Sequence, residues 1–377
     1  MARVLAQYLH AIRHPATGLL ESFADSADPE LHGVTFTYDL ALTALVFTHG
    51  ESFDAARRIL DFYRAMPPPD LSTPTYNVAY GTAGGAPALE SAFQLGPLSW
   101  MAIALMRFAH ASGEAIYFHK AVTLLDWVRQ SMPHRDGGVA MGIREPWSLR
   151  MSVENDWAYY AALRMALVWV PDGVLREFVR EETTGVRRWL ARHERDRGAD
   201  DGVKALDVYT NALLIGPHAH LEDQVMGDEA ALARWARTWI EELEDLFRVP
   251  EIPGYDYTDA DEAEAAGRER CSWLEGTEQV IVAYQTWAPF FESQGDRLFA
   301  QRLRRLAGFA HAHVIRCSLL SRGAVAIPNT DAPEPVRTFA DGWVARPSME
   351  PALNGTTWTY FAEVGLNPWV IPSRPLR

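Results

Sequence analysis

The chain alternates between two kinds of helical segment, and that alternation restricts its fold more than any single motif. Segments 36–47 and 98–111 are apolar nearly all round, whereas 53–65 and 114–132 are one-faced, with Arg57 and Arg58 on the wet face of the former. A helix apolar on every side belongs in an interior, and a one-faced helix belongs around it. Three further pairs follow, 154–168 with 172–193, 206–215 with 228–247, and 277–289 with 296–315. A last apolar segment, 356–364, has the amphipathic stretch 1–12 as its outer partner, and strand signals are scarce.

The joints between paired helices repeat. His49-Gly50-Glu51, Ser112-Gly113-Glu114 and Gln294-Gly295-Asp296 each sit between an apolar and an amphipathic segment. Glycine is expected to close the first helix and the acid to open the second. The interval from Gly113 to Gly295 is close to three times that from Gly50 to Gly113. Open helical solenoids repeat at about 34–47 residues. A longer period with six pairs predicts instead a closed double ring, an all-α (α/α)6 toroid, as one catalytic domain over residues 1–377.

Composition narrows the partners. The 377 residues are 48% hydrophobic, enough for a large core, and carry a net charge of −14, which disfavours nucleic acid and anionic membranes. No stretch is long and apolar enough to span a bilayer, and residues 1–15 lack a signal peptide's apolar run, so a cytoplasmic location is expected. Cys271 and Cys317 show no metal-ligand spacing and are expected to be buried thiols. The pairs His218/His220 and His311/His313 diverge on a helix, so no metal is expected. No Gly-x-Ser-x-Gly elbow and no dinucleotide fingerprint occurs, and no cofactor is expected.

In a ring of hairpins the inner helices all start on one face. The six openings are rich in acids and aromatics: Tyr38 and Asp39; Glu90 and Trp100; Glu154, Asp156 and Trp157; Asp207 and Tyr209; Trp273, Glu275 and Glu278; Glu350 and Trp358. Acids complement a helix dipole by about 0.3–1 kcal/mol each, but acids accompanied by aromatics in all six openings suit carbohydrate. Aromatic faces stack on sugar C–H faces, and carboxylates bond sugar hydroxyls. Glycoside cleavage takes a protonated carboxyl that gives its proton to the leaving oxygen and an ionised one that activates water or attacks.

Glu275, beside apolar Trp273 and Leu274, is the candidate acid, and Asp39, Glu154 and Asp156 are candidates for the base. Glu154 and Asp156 point about 200° apart on a helix. A start at Ser152 favours Asp156, and a later start favours Glu154. The remaining acids and aromatics of the openings are candidate substrate-binding groups. Around Glu275, Gly276 is expected to permit a turn and Thr277 to cap the helix that follows. The acidic run 259–264 reads as a solvated loop or a lid.

The motifs Phe36-Thr37-Tyr38-Asp39-Leu40, Gly96-Pro97-Leu98-Ser99-Trp100, Trp273-Leu274-Glu275-Gly276-Thr277-Glu278-Gln279 and Trp358-Thr359-Tyr360-Phe361 resemble the inner-helix motifs of bacterial (α/α)6-toroid glycoside hydrolase-like proteins, a group that includes enzymes acting on β-glucans. The resemblance implies a glycosidase acting on an oligo- or polysaccharide. Three alternatives stand beside it: a polysaccharide lyase, a sugar epimerase using His218 or His220 as base, and a non-catalytic sugar-binding protein.

Overall fold

The computed structural model describes residues 1–26, 28–66, 76–89, 93–193, 204–222, 228–334, 336–337, 344–345 and 349–370. Helix α1 (Ala2–Ala11) opens the chain. The chain packs as two compact units, one built on Leu9–Gly202 and the other on Val203–Val370 with Met1–Tyr8.

The first unit holds strand β1 (Val34–Phe36), α2 (Thr37–His49), α3 (Phe53–Ala65), β2 (Ala79–Gly81), α4 (Leu95–Ser112), α5 (Ala115–Ser131), β3 (His134–Arg135), β4 (Gly138–Val139), α6 (Val153–Trp169) and α7 (Val174–His193). Helices α2, α4 and α6 pack side by side, and each also packs on the helix that follows it. Every residue of α2 except Tyr38 and His49 is buried, whereas α3 buries one stripe: Ala55, Ala56, Ile59, Leu60 and Tyr63. The inner and outer roles read from the hydrophobic pattern hold.

The second unit holds α8 (Leu206–Leu214), α9 (Pro217–Glu222), α10 (Glu229–Phe247), α11 (Ala260–Ala265), α12 (Leu274–Ser293), α13 (Arg297–Arg316), β5 (Leu319–Ser321), β6 (Ala324–Pro328), β7 (Val336–Arg337), β8 (Val344–Ala345), β9 (Pro351–Ala352) and α14 (Leu353–Val364). Helix α12 lies between α8 and α14 and pairs with α13 outside. Each large apolar side chain buried along it, such as Val280 and Ile281, contributes about 1.5–3 kcal/mol. Strand β6 pairs antiparallel with β5 on one side and β9 on the other, which delivers the chain to the start of α14.

Several local expectations are corrected. Helices α4, α12 and α14 each begin three residues before the predicted starts at 98, 277 and 356. Their N-caps are Gln94, Trp273 and Ala352, extended residues without a side-chain cap, and each pairs by backbone with another segment: Gln94 with Gly142, Trp273 with Thr330 and Ala352 with Ile327. A β-bridge, rather than a capping side chain, fixes the helix entry. Pro97 is tolerated because a first-turn N–H has no intrahelical acceptor. Thr277 is therefore not a cap, and its hydroxyl accepts the Tyr255 N–H at 3.0 Å.

Helix α12 runs past Pro289 to Ser293, and the run 259–264 supplies the cap and most of α11, with Asp259 accepting the Glu262 N–H. Gly113 and Gly295 take left-handed angles as expected, but at the first joint it is Glu51 that does so (φ 57°) and not Gly50 (φ −79°). Both cysteines are free, Cys271 buried and Cys317 half-buried. No described helix is long and apolar enough to cross a membrane.

Gly276 lies inside α12, and close approach rather than a turn explains it. A Cβ there would sit 2.2 Å from the Trp273 ring and 2.8 Å from Leu206 Cδ2. Gly276→Ala is expected to destabilise the protein by about 1–3 kcal/mol, the range for overpacking, despite alanine's better helix propensity. Equilibrium denaturation measures this, and a stabilised variant would contradict the packing.

Candidate functional site

The corrected starts put the six inner helices in one register. The first residue of each is buried: Thr37, Leu95, Val153, Leu206, Leu274 and Leu353. The second residues are Tyr38, Gly96, Glu154, Asp207, Glu275 and Asn354, and of these Tyr38, Glu154, Asp207 and Asn354 are half-buried. In each unit two of the three second residues are more open than the first residues beside them. In the first unit, Tyr38 meets Trp100 edge-on at 5.5 Å, and Gly96 lies against Asn155, so the first turns of α2, α4 and α6 lie at one end. In the second unit, bonds among α8, α12 and α14 do the same.

Glu275 is the hub of the second unit's end. It is 4% exposed. Asn354 Nδ2 donates to its Oε2 at 2.6 Å, and Gln279 Nε2 donates to its Oε1 at 3.3 Å. Both amides are oriented by their other atoms: Asn354 Oδ1 accepts the Gly355 N–H at 2.8 Å, and Gln279 Oε1 accepts the Thr210 hydroxyl at 2.7 Å. Both donors are neutral amides. Asp207 stands in the same second position on neighbouring α8.

A loop that sequence reasoning missed braces this end. Buried Asp256 accepts from Arg268 Nη1 and Nη2 at 2.8 and 2.7 Å and from the Cys271 N–H at 3.1 Å, with Arg270 at 3.5 Å. That clamp ties segment 255–258 to 268–271. Tyr257 O accepts the Leu206 N–H at 2.9 Å, and its ring stacks on Trp273 at 4.7 Å. One face of Trp273 is thus occupied by Tyr257, and Gly276 packs close to the ring as well. Glu244 Oε1 accepts from the hydroxyls of Tyr255 and Tyr284 and fixes the start of the same loop. The alternation Tyr255-Asp256-Tyr257 was the available signal.

In the first unit Asp39 is 3% exposed, and burial raises its pKa to about 7 against the opposing hydrogen bond from Ser22. Ser22 Oγ accepts the Phe36 N–H at 2.8 Å. Helix α6 starts at Val153 behind the Ser152 cap, which separates the two acids of that opening. Asp156 is fully buried and its Oδ1 accepts the Val139 N–H at 3.0 Å, bracing the β3–β4 hairpin; burial holds its pKa well above the carboxylate range. Glu154 is the half-buried one, in the second position.

The Asp39 shift has a stability consequence. A carboxyl whose folded pKa is raised contributes stability fully below its unfolded pKa near 4 and loses it as pH rises to about 7. Asp39→Asn is expected to remove that dependence. The variant should gain on the wild type by on the order of 4 kcal/mol between pH 4 and pH 8, measured as unfolding free energy at each pH. Parallel profiles would contradict it.

Other predicted residues face their packing partners. Trp157 is fully buried with the Arg187 guanidinium 5.4 Å from its ring centroid. Tyr209 donates to Glu242 at 3.2 Å and packs on Trp239 and Phe247 of α10. Trp358 is fully buried against Phe361. Glu278 is fully buried, its pKa raised by burial, and it meets His311 Nδ1 of α13 at 3.0 Å. Burial lowers the His311 pKa, but Glu278 and Glu363 outweigh that and carry it to about 9. Glu350 is half-buried just before β9, and Glu90 lies outside the described residues. His218 and His220 sit on α9, beyond the far end of α8; His218 is exposed, and the buried His220 holds the Ala212 carbonyl at 3.0 Å beside Trp235.

No family model matches the sequence, and no curated protein matches it. Solved structures do match over nearly the whole chain. A sugar epimerase from a ruminal bacterium is 12% identical, with 96% of both chains covered and a TM-score of 0.66. Cellobiose 2-epimerase from Spirochaeta thermophila is 14% identical, covering 98% of this chain and 97% of its own, with a TM-score of 0.66. A glycosidase variant in complex with glucose is 12% identical, covering 98% and 96%, with a TM-score of 0.62. The chain accordingly has an all-α fold of the (α/α)6-toroid type.

Proposed function

We propose that the protein is a carbohydrate-active enzyme that hydrolyses a glycosidic bond, with Glu275 as the proton donor to the leaving oxygen. The observation that carries this reading is the Glu275 carboxyl itself, nearly buried at a helix mouth and gripped by two oriented amides. Asp207, in the equivalent position on α8, is the second carboxylate of this unit. Asp39 and Glu154 are the corresponding acids of the first unit, with Glu154 preferred over Asp156, which is engaged by the hairpin backbone.

Structures of this fold include epimerases as well as glycosidases. Histidine-based epimerisation finds less support. Among the described residues no histidine occupies the first turn of an inner helix, and His220 is engaged in the core. The two reactions separate cleanly in heavy water. A hydrolase releases new reducing ends from gluco-oligosaccharides without deuterium at sugar carbon, whereas an epimerase working by proton abstraction exchanges a carbon-bound hydrogen and leaves the glycosidic bond intact. New reducing ends are the expected result; carbon-bound deuterium without cleavage would overturn the proposal.

A further inference from the structure

Tyr257 carries an oddity the mechanism above does not use. The residue is 5% exposed, and its hydroxyl has no hydrogen-bond partner among the described residues. A buried hydroxyl left without a partner costs about 1–3 kcal/mol, so each one calls for an explanation. The other buried tyrosines of this loop and its neighbours are satisfied: Tyr255 and Tyr284 both donate to Glu244, and Tyr209 donates to Glu242. The Tyr257 ring is held by stacking instead. Its face lies on Trp273, the N-cap of α12, at an interplanar angle of 17°, and its carbonyl holds the first residue of α8. It therefore stands between the helix starts that carry Asp207 and Glu275, with the Glu275 side chain among its electrostatic neighbours.

We infer that Tyr257 is a substrate-contacting residue whose hydroxyl binds a hydroxyl group of the sugar presented to Glu275. This rests on the proposed function and deepens it. The ligand group is a hydroxyl rather than an acid because the cations beside the loop, Arg268 and Arg270, are both engaged with Asp256. The substrate is thus a neutral glycoside. Burial, together with the neighbouring Cys271, Glu275 and Asp256, raises the Tyr257 pKa well above 10, so the group stays a proton donor at any physiological pH. The Asp256 clamp ties down the loop and Trp273 packs on the ring, which fixes where the hydroxyl sits.

The test compares wild type with Tyr257→Phe in three measurements: glucose affinity by calorimetry, KM and kcat on gluco-oligosaccharides, and thermal stability. The variant is expected to bind glucose about three- to tenfold more weakly and to raise KM by a similar factor. Its melting temperature should be unchanged or higher, since an unpartnered buried hydroxyl has been removed. Unchanged affinity and KM with a higher melting temperature would overturn the inference while leaving the hydrolase reading standing. A wild type that neither binds nor cleaves any neutral glucoside would remove both.

Discussion

Glu275→Gln is expected to lower turnover of the cleaved glycoside by about 10²–10⁴-fold, the range for loss of a general acid, with little change in sugar affinity or stability. The substitution keeps the shape and the shorter of the two hydrogen bonds: the new amide's oxygen can accept from Asn354 Nδ2, as the carboxyl does at 2.6 Å, while its nitrogen gives up the longer contact from Gln279 Nε2 at 3.3 Å. What it removes is the transferable proton. The cleanest signature is leaving-group dependence. Substrates with acidic phenols, which depart without protonation, should lose far less than natural glycosides. A uniform loss across leaving groups would point to damaged binding instead. Asp207→Asn, by contrast, should fail equally on both substrate types if Asp207 serves the water or the glycosyl carbon. Replacing Asp39 and Glu154 in turn tests whether the first unit's acids contribute.

The second large effect concerns stability. Asp256→Ala is expected to destabilise the protein by about 3–5 kcal/mol, because it leaves two largely buried guanidinium groups without their anion. Asp256 is fully buried, and the side chains of Arg268 and Arg270 are 8% and 18% exposed. Surface pairs such as Arg57 with Asp54, where the acid is 99% exposed, contribute on the order of 0–1 kcal/mol. Chemical denaturation of Asp256→Ala beside Asp54→Ala makes the contrast. Equal effects would contradict the clamp. Because the same carboxylate ties down the loop bearing Tyr257, the Asp256 variant should also lose Trp273 fluorescence structure before global unfolding.

The hydrophobic pattern made the helix pairs legible, down to the bounds of α3 and the Asp228 and Asp296 caps of α10 and α13. It did not reveal how the inner helices begin. Capping side chains are a sequence signal, but Trp273 and Ala352 enter their helices through backbone bridges that any residue can make. The resulting three-residue error hid the common register that places Asp207, Glu275 and Asn354 in equivalent positions. Individual aromatics were also ambiguous. Trp157 and Tyr209 lie close to a helix mouth in sequence, yet turn outward to Arg187 and Glu242, a direction set by helix phase. The Asp256 clamp joins residues a dozen positions apart on either side of α11, and the short alternation at Tyr255-Asp256-Tyr257 does not say which cation it meets.

The most direct test is a crystal structure of the Glu275→Gln protein with an uncleaved gluco-oligosaccharide. The account predicts a glycosidic oxygen within about 3 Å of the substituted side chain's amide, the reach of a general acid, and a sugar hydroxyl on Tyr257. An oligosaccharide bound with every glycosidic oxygen out of reach of residue 275 would contradict it.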